Sequence, residues 1–231
     1  MSTAKTLRPA AATRSLVGAL AGCVAVWGLV LAASWSSLHA YGFKRESSTE
    51  TTPAEWPADS RMARPDERPL LLVFLHPKCP CSHATVSELE RMLSAPDLDA
   101  GKFDVAIVAC TPRSTTGSWT GTPLVQRAAE LPRAKVYADV GGVEAARFAA
   151  TTSGEIVLVD AGGRRLYAGG VTKSRGHVGD NAGADTVARL LRGDRGTNAA
   201  LPALGCRLVR DEPPEITDRG DTAASCEGTS S

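Results

Sequence analysis

The sequence predicts an α/β domain, a central sheet flanked by helices, carried behind an N-terminal transmembrane helix. Three observations predict it. Short uninterrupted apolar runs alternate with stretches whose apolar residues recur at helical spacing. The last two runs are joined by a glycine-rich turn, and a long uncharged segment lies near the N-terminus. Strands alternating with helices place helices on both faces of a sheet, and the terminal hairpin adds antiparallel strands to it.

Residues 15–38 hold 24 positions without a charged side chain. As a helix they reach about 36 Å, against a hydrocarbon core of about 30 Å. Lys5, Arg8 and Arg14 precede this run, and the next basic residues are Lys44 and Arg45. The positive-inside rule therefore leaves residues 1–14 in the cytoplasm and exports the rest, a single-pass protein of a bacterial inner membrane with its soluble domain in the periplasm. Two rival readings are a signal peptide cleaved after "SLHA" and a lipoprotein box, "LAGC", ending at Cys23. The run exceeds an ordinary signal-peptide core, and "VAVWGLVLAA" follows Cys23 where a polar tether would begin, so an uncleaved anchor is favoured. Residues 39–68 are polar, proline-containing and without periodicity, and read as a tether.

The domain is expected over 69–196. "LLLVFL" (70–75) is a strand covered on both faces, followed by a helix with Val86, Leu89, Met92 and Leu93 on one stripe. "FDVAIVAC" (103–110) and "AKVYAD" (134–139) are further strands, and "PLVQRAAEL" (123–131) and "VEAARFAA" (143–150) helices. "EIVLVD" and "RRLYAGG" flank "AGG" as a hairpin, and "ADTVARLLRG" (184–193) closes the domain as a helix. Residues 197–231 read as a loosely ordered tail, with Cys206 and Cys226 placed for a local disulfide. A net charge of +1 leaves no basic surplus for nucleic acid, and six cysteines are too few for a disulfide-built scaffold of this length.

Chemistry gathers at "HPKCPCS" (76–82), directly after the first strand. With Pro80 in the first helical turn, Cys79 becomes the N-cap, its sulfur facing unpaired N–H groups that favour the thiolate. Ser82, three along, shares its face, whereas Cys81 is expected to point elsewhere. Three outcomes stand open: a strained Cys79–Cys81 disulfide, Cys79 resolved by another thiol such as Cys110, or Cys79 and Cys81 holding a soft metal with His76 or His177. For Cys110 a buried apolar role is ranked ahead of a resolving one. In "TKSRGHVGDN" (172–181), Asp180 and Asn181 read as a helix cap, while Arg175 and His177 divide evenly between surface loop and site. Glu88, Glu90 and Arg91 read as a solvated helix face, and Trp119 as a residue that covers the site or packs near it. A peroxidase is disfavoured because no arginine lies near Cys79 in the sequence and Thr85 follows it.

The run "LVFLHPKCPCSHATVSELERM" resembles the active-site segment of the thioredoxin-like superfamily, especially its membrane-anchored TlpA-like and peroxiredoxin-like branch, and "VYADVGGVEAARFAATTSGEIVLVDAGGRRLYAGG" is similar to that branch's strand, helix and closing hairpin. "HPKCPCS" and "AGGVTKSRGHVGDN" also resemble blocks of RedB-type exported proteins. The resemblance implies a thioredoxin-like fold and a catalytic site of Cys79, Cys81 and Ser82 working on periplasmic protein thiols or disulfides, without a cofactor. Ser82 stands where the superfamily has its second cysteine, and Gly154 where it has a cis-proline. The alternatives are copper handling of the Sco type, through Cys79, Cys81, His76 and His177, and a redox-inactive interaction module.

Overall fold

The structure, a computed structural model, describes residues 11–43, 52–113, 119–194 and 201–208. Its elements in order are α1 (Ala11–Gly42), β1 (Leu70–Leu75), α2 (Ser82–Leu93), β2 (Asp104–Thr111), α3 (Pro123–Ala129), β3 (Ala134–Val140), α4 (Val143–Arg147), β4 (Glu155–Val159), β5 (Arg165–Gly169) and α5 (Ala182–Leu191). The strands form one mixed five-stranded sheet in the order β3-β2-β1-β4-β5. β1 lies at its centre, parallel to β2 with Leu70 opposite Asp104 and antiparallel to β4 with Leu70 opposite Val159. β2 and β3 are parallel, and β4 and β5 form the expected hairpin.

Strand alternation divides the core in two. Leu71, Val73 and Leu75 of β1 join Val86, Leu89 and Leu93 of α2, Leu124 of α3 and Val187 of α5 on one face. Leu72 and Phe74 meet Ala145 and Phe148, around α4, on the other. Residues 71–75 are all completely buried, as an apolar run without polar interruption requires in the middle strand of a covered sheet. β1 therefore ends at the centre of one sheet edge, and the loop after it carries Cys79.

Two boundaries differ from expectation. The tether reading of 39–68 fails over its second part, because residues 52–68 lie on the domain. Trp56 meets Phe148 edge-on at 5.0 Å, its N–H donates to the Gly163 carbonyl at 2.8 Å, and Met62 is buried in the second core. Ser60 Oγ and the Arg61 N–H both donate to the Glu144 carboxylate. A short lead-in of isolated apolar residues shows no periodicity, yet the face carrying only the five-residue α4 needs such a cover. The loosely ordered tail is likewise contradicted at 201–208, where Leu204 and Leu208 are buried and Arg207 bridges antiparallel to Thr152. Cys226 lies outside the described residues, so the Cys206–Cys226 pairing does too.

Candidate functional site

After Leu75 the chain turns through His76, Pro77 and Lys78, and the Cys79 N–H donates to the His76 carbonyl at 2.9 Å. Three successive three-residue bonds follow, Ser82 N–H to Cys79 O (3.3 Å), His83 N–H to Pro80 O (3.4 Å) and Ala84 N–H to Cys81 O (3.2 Å). The helix thus opens with a tight 3₁₀ turn starting at Cys79, and the N-cap of α2 is Cys81 rather than the expected Cys79. In that turn the two cysteines are near enough for the charge of Cys79 to act on the Cys81 thiol.

The Cys79 sulfur lies beneath residues 201–208, a strap that leaves Cys79 only 1% exposed. The Cys206 N–H donates to this sulfur at 3.4 Å, which sets the two thiols close enough to act on each other's ionisation. The strap is fixed by backbone bonds on both sides of Cys206: Gly170 N–H to Leu201 O (2.9 Å), Ser153 N–H to Cys206 O (2.8 Å) and Leu208 N–H to Thr151 O (2.9 Å). At Gly205 the fit is close enough that an added Cβ would stand 2.0 Å from the Ser153 carbonyl oxygen. The segment 151–153 thus holds the strap, and Gly154 follows it where a cis-proline was the superfamily's pattern. Among the described residues there is no cis peptide bond, and Gly154 adopts φ +91° with its Cα face against Thr85 Oγ1.

Ser82 is buried below the sulfur. Its Oγ is 2.6 Å from Ser153 Oγ, which accepts the His76 N–H at 2.7 Å. With Ser153 already an acceptor, the consistent orientation has Ser153 donate to Ser82 and Ser82 donate to Cys79. Burial pushes the Cys79 thiol up, but the hydrogen bonds from Ser82 and Cys206 outweigh it and leave the thiol below its ordinary value. Cys81 moves the other way, through burial and the charge of Cys79, with Arg175 opposing. Cys206 is pushed up to about 12 by burial, then by its hydrogen bond to Cys79 and the charges of Cys79 and Cys81, again against Arg175. Of the three thiols, Cys79 is the one whose surroundings favour the charged form over the ordinary value.

Of the other candidates, Arg175 belongs to the site through its action on Cys81 and Cys206, while His177 is exposed. The His76 ring turns away, taking the Lys78 N–H on Nδ1 and meeting Trp119 edge-on at 5.5 Å. Trp119 packs on that loop, under the Lys78 ammonium at 4.1 Å. Among the described residues no three histidine, cysteine or acidic side chains are arranged to hold a metal ion. Cys110 is fully buried, its thiol donating to Asp139 Oδ2 at 3.5 Å, in the core on the face away from α2. Asn181 caps α5 through the Ala184 N–H at 2.7 Å. Glu88 is not solvated: fully buried, it pairs with Arg91 and accepts from the Gly179 N–H and Asn181 Nδ2, pinning the 172–181 loop to α2. Glu90 meets Arg127 across to α3. Cys206 is the site residue that sequence reasoning missed. Its signal was present in "LGCRLV", where Leu204, Cys206 and Leu208 alternate like a short strand.

No family model matches the chain, and no curated protein matches it. Solved structures do resemble it. A hypothetical protein from Sinorhizobium meliloti 1021 is 19% identical with a TM-score of 0.55, the match covering 74% of this chain and 100% of that one. A conserved protein from Geobacillus kaustophilus is 14% identical with a TM-score of 0.50, over 74% of this chain and 94% of that one. A secreted Mycobacterium tuberculosis disulfide oxidoreductase homologous to E. coli DsbE is 17% identical at a TM-score of 0.37, over 55% and 83%. The central β1, its antiparallel neighbour β4, the closing hairpin and the helix start after β1 decide the architecture. The fold is thioredoxin-like. In this thioredoxin-like domain the second sulfur near Cys79 comes from the strap as well as from the helix turn.

Proposed function

We propose that the chain is a membrane-anchored thiol–disulfide exchange protein with Cys79 as its working thiolate, Ser82 as the residue that stabilises it, and periplasmic protein thiols or disulfides as its partners. The observation that carries this reading is the convergence of donors from Ser82 and Cys206 on one sulfur, at the start of a helix. Apolar burial alone favours a neutral thiol, so donors aimed at the sulfur work toward the ionised, nucleophilic form. The covered sulfur reacts once the strap moves aside. Copper handling lacks comparable support: the His76 ring is engaged by the Lys78 N–H and Trp119, and His177 is exposed. The finer likeness, to the TlpA-like branch or to RedB-type proteins, rests on the "HPKCPCS" and "AGGVTKSRGHVGDN" blocks, which meet here through Arg175.

The test uses the full chain in detergent, reduced, freed of reductant and exposed to glutathione disulfide, then acid-quenched and peptide-mapped by mass spectrometry. Oxidation at Cys79 is expected, as a glutathione adduct or as a disulfide derived from it, and Cys79→Ser should abolish reaction across the cluster. A Cys79 that stays reduced throughout, or a variant that reacts as fast as the unaltered chain, would leave the interaction module as the better reading.

A further inference from the structure

Resting on that reading, we propose that Cys206 is the resolving cysteine, so that the redox couple of this protein is Cys79–Cys206, made between the helix start and the C-terminal strap. The superfamily's usual second position is occupied by Ser82, which has no sulfur to offer. Cys206 is instead placed against Cys79 by backbone bonds at Ser153 and Thr151 and by burial of Leu204 and Leu208 on either side. Its N–H contacts the very sulfur it would join, at 3.4 Å. Cys110 is removed from competition by its place in the core on the opposite face of the sheet. Cys81 is close, but its bond to Cys79 would close within a single tight turn that already holds hydrogen bonds from Ser82 and Ala84.

The chemistry balances as two displacements. The Cys79 thiolate attacks one sulfur of a partner disulfide, forming a mixed disulfide and releasing the partner's first thiolate. This removes one of the influences that opposed ionisation of Cys206, the charge of Cys79; burial and Cys81 still oppose it and Arg175 favours it. Cys206 gives its proton to the departing thiolate, and its sulfur attacks Cys79, expelling the partner's second thiolate. The two cysteines lose two electrons and become a disulfide, and the partner disulfide gains both, one of its sulfurs taking the Cys206 proton and the other leaving as a thiolate that solvent protonates. Run in reverse, the same couple oxidises a dithiol.

The strap then does two things with one contact. In the reduced state it covers the thiolate, and after the first displacement it supplies the second thiol from within the same molecule. A thiol held this way acts at an effective concentration in the millimolar range or above, so losing it should slow resolution by on the order of 100-fold when no other thiol is added.

The experiment follows the full chain in detergent through a glutathione disulfide time course, with acid quench, alkylation and peptide mapping. In the unaltered chain and in Cys81→Ser, a Cys79–Cys206 linked peptide should accumulate with little standing glutathione adduct. In Cys206→Ser, a near-isosteric change, the Cys79–glutathione adduct should persist. A Cys79–Cys81 link as the main product, or a Cys206→Ser adduct that resolves as fast as in the unaltered chain, overturns the assignment of Cys206 while leaving Cys79 exchange standing. No adduct or disulfide at Cys79 in any variant overturns both.

Discussion

At Cys79 the decisive comparison is between burial, which raises a thiol's pKa, and donors, which lower it. Hydrogen bonds to a charged group contribute about 1.5–3 kcal/mol each, and about 1.4 kcal/mol moves a pKa by one unit, so two or three donors suffice to overcome partial desolvation. The Ser153–Ser82 hydroxyl pair aims one of those donors, with the His76 N–H fixing its direction. Ser82→Ala should therefore raise the Cys79 titration midpoint, read from thiolate ultraviolet absorbance against a Cys79→Ser blank. An unmoved midpoint would mean that Ser82 serves packing alone. The sign of the linked stability follows. A depressed native pKa adds stability above the unfolded thiol's pKa, and this is lost as pH falls through the native value. What was legible in the sequence is the position of Cys79 at a strand-to-helix junction, whereas its expected role as N-cap was not met. The placement of Cys81 was not legible, since a 3₁₀ start and an α-helical start differ by one residue in register and both accept the same sequence.

At the scale of elements, legibility follows the range of the interactions. β1, β2, α2, the β4–β5 hairpin and α5 could be read because their periodicity is internal to each segment. Glu88 was misread as solvated because its partners, Gly179 and Asn181, lie far along the chain. The lead-in around Trp56 and the strap around Cys206 were missed for the same reason, being ordered by contacts with the sheet and not by any pattern of their own. The strap makes a prediction that belongs to this scale. Because the Gly205 Cα faces the Ser153 carbonyl with no room for a methyl group, Gly205→Ala must displace the strap or the 151–153 segment from the other. Cys79 alkylation by iodoacetamide at fixed pH should then accelerate by about tenfold or more, as expected if roughly 1.4 kcal/mol or more of closure free energy is lost. The global unfolding midpoint should fall only modestly, since the core on the α2 face makes no use of the strap. An unchanged alkylation rate would show that the strap does not limit access to the sulfur.

For the whole molecule, the question is how an enclosed thiol cluster is carried relative to a membrane. The segment Leu16–Gly42 spans 27 residues, and its most apolar window has a mean hydropathy of 2.3 and is not buried against the protein. Leucine, valine and tryptophan side chains exposed all round a helix of that length find their stable environment in a bilayer, where the backbone is satisfied internally. The helix ends against the site loop, with the Arg175 N–H donating to the Gly42 carbonyl at 3.1 Å and the Arg175 guanidinium 5.1 Å from the Tyr41 ring. Since Arg175 also acts on Cys81 and Cys206, the thiols occupy the side of the domain nearest the helix end. An orientation with Lys5, Arg8 and Arg14 on the cytoplasmic side, which the positive-inside rule expects, would turn that side toward the periplasmic surface of the membrane. Expressed in a Gram-negative host, the full chain should therefore remain in the membrane pellet after alkaline carbonate extraction. In intact spheroplasts a membrane-impermeant maleimide should label the half-exposed Cys81, while Cys23, inside the apolar run, stays unlabelled until the membrane is dissolved. Release of the chain by carbonate would remove the anchor, and labelling of Cys81 only after lysis would reverse the orientation and place the exchange chemistry in a reducing compartment, where the couple would rest as two thiols.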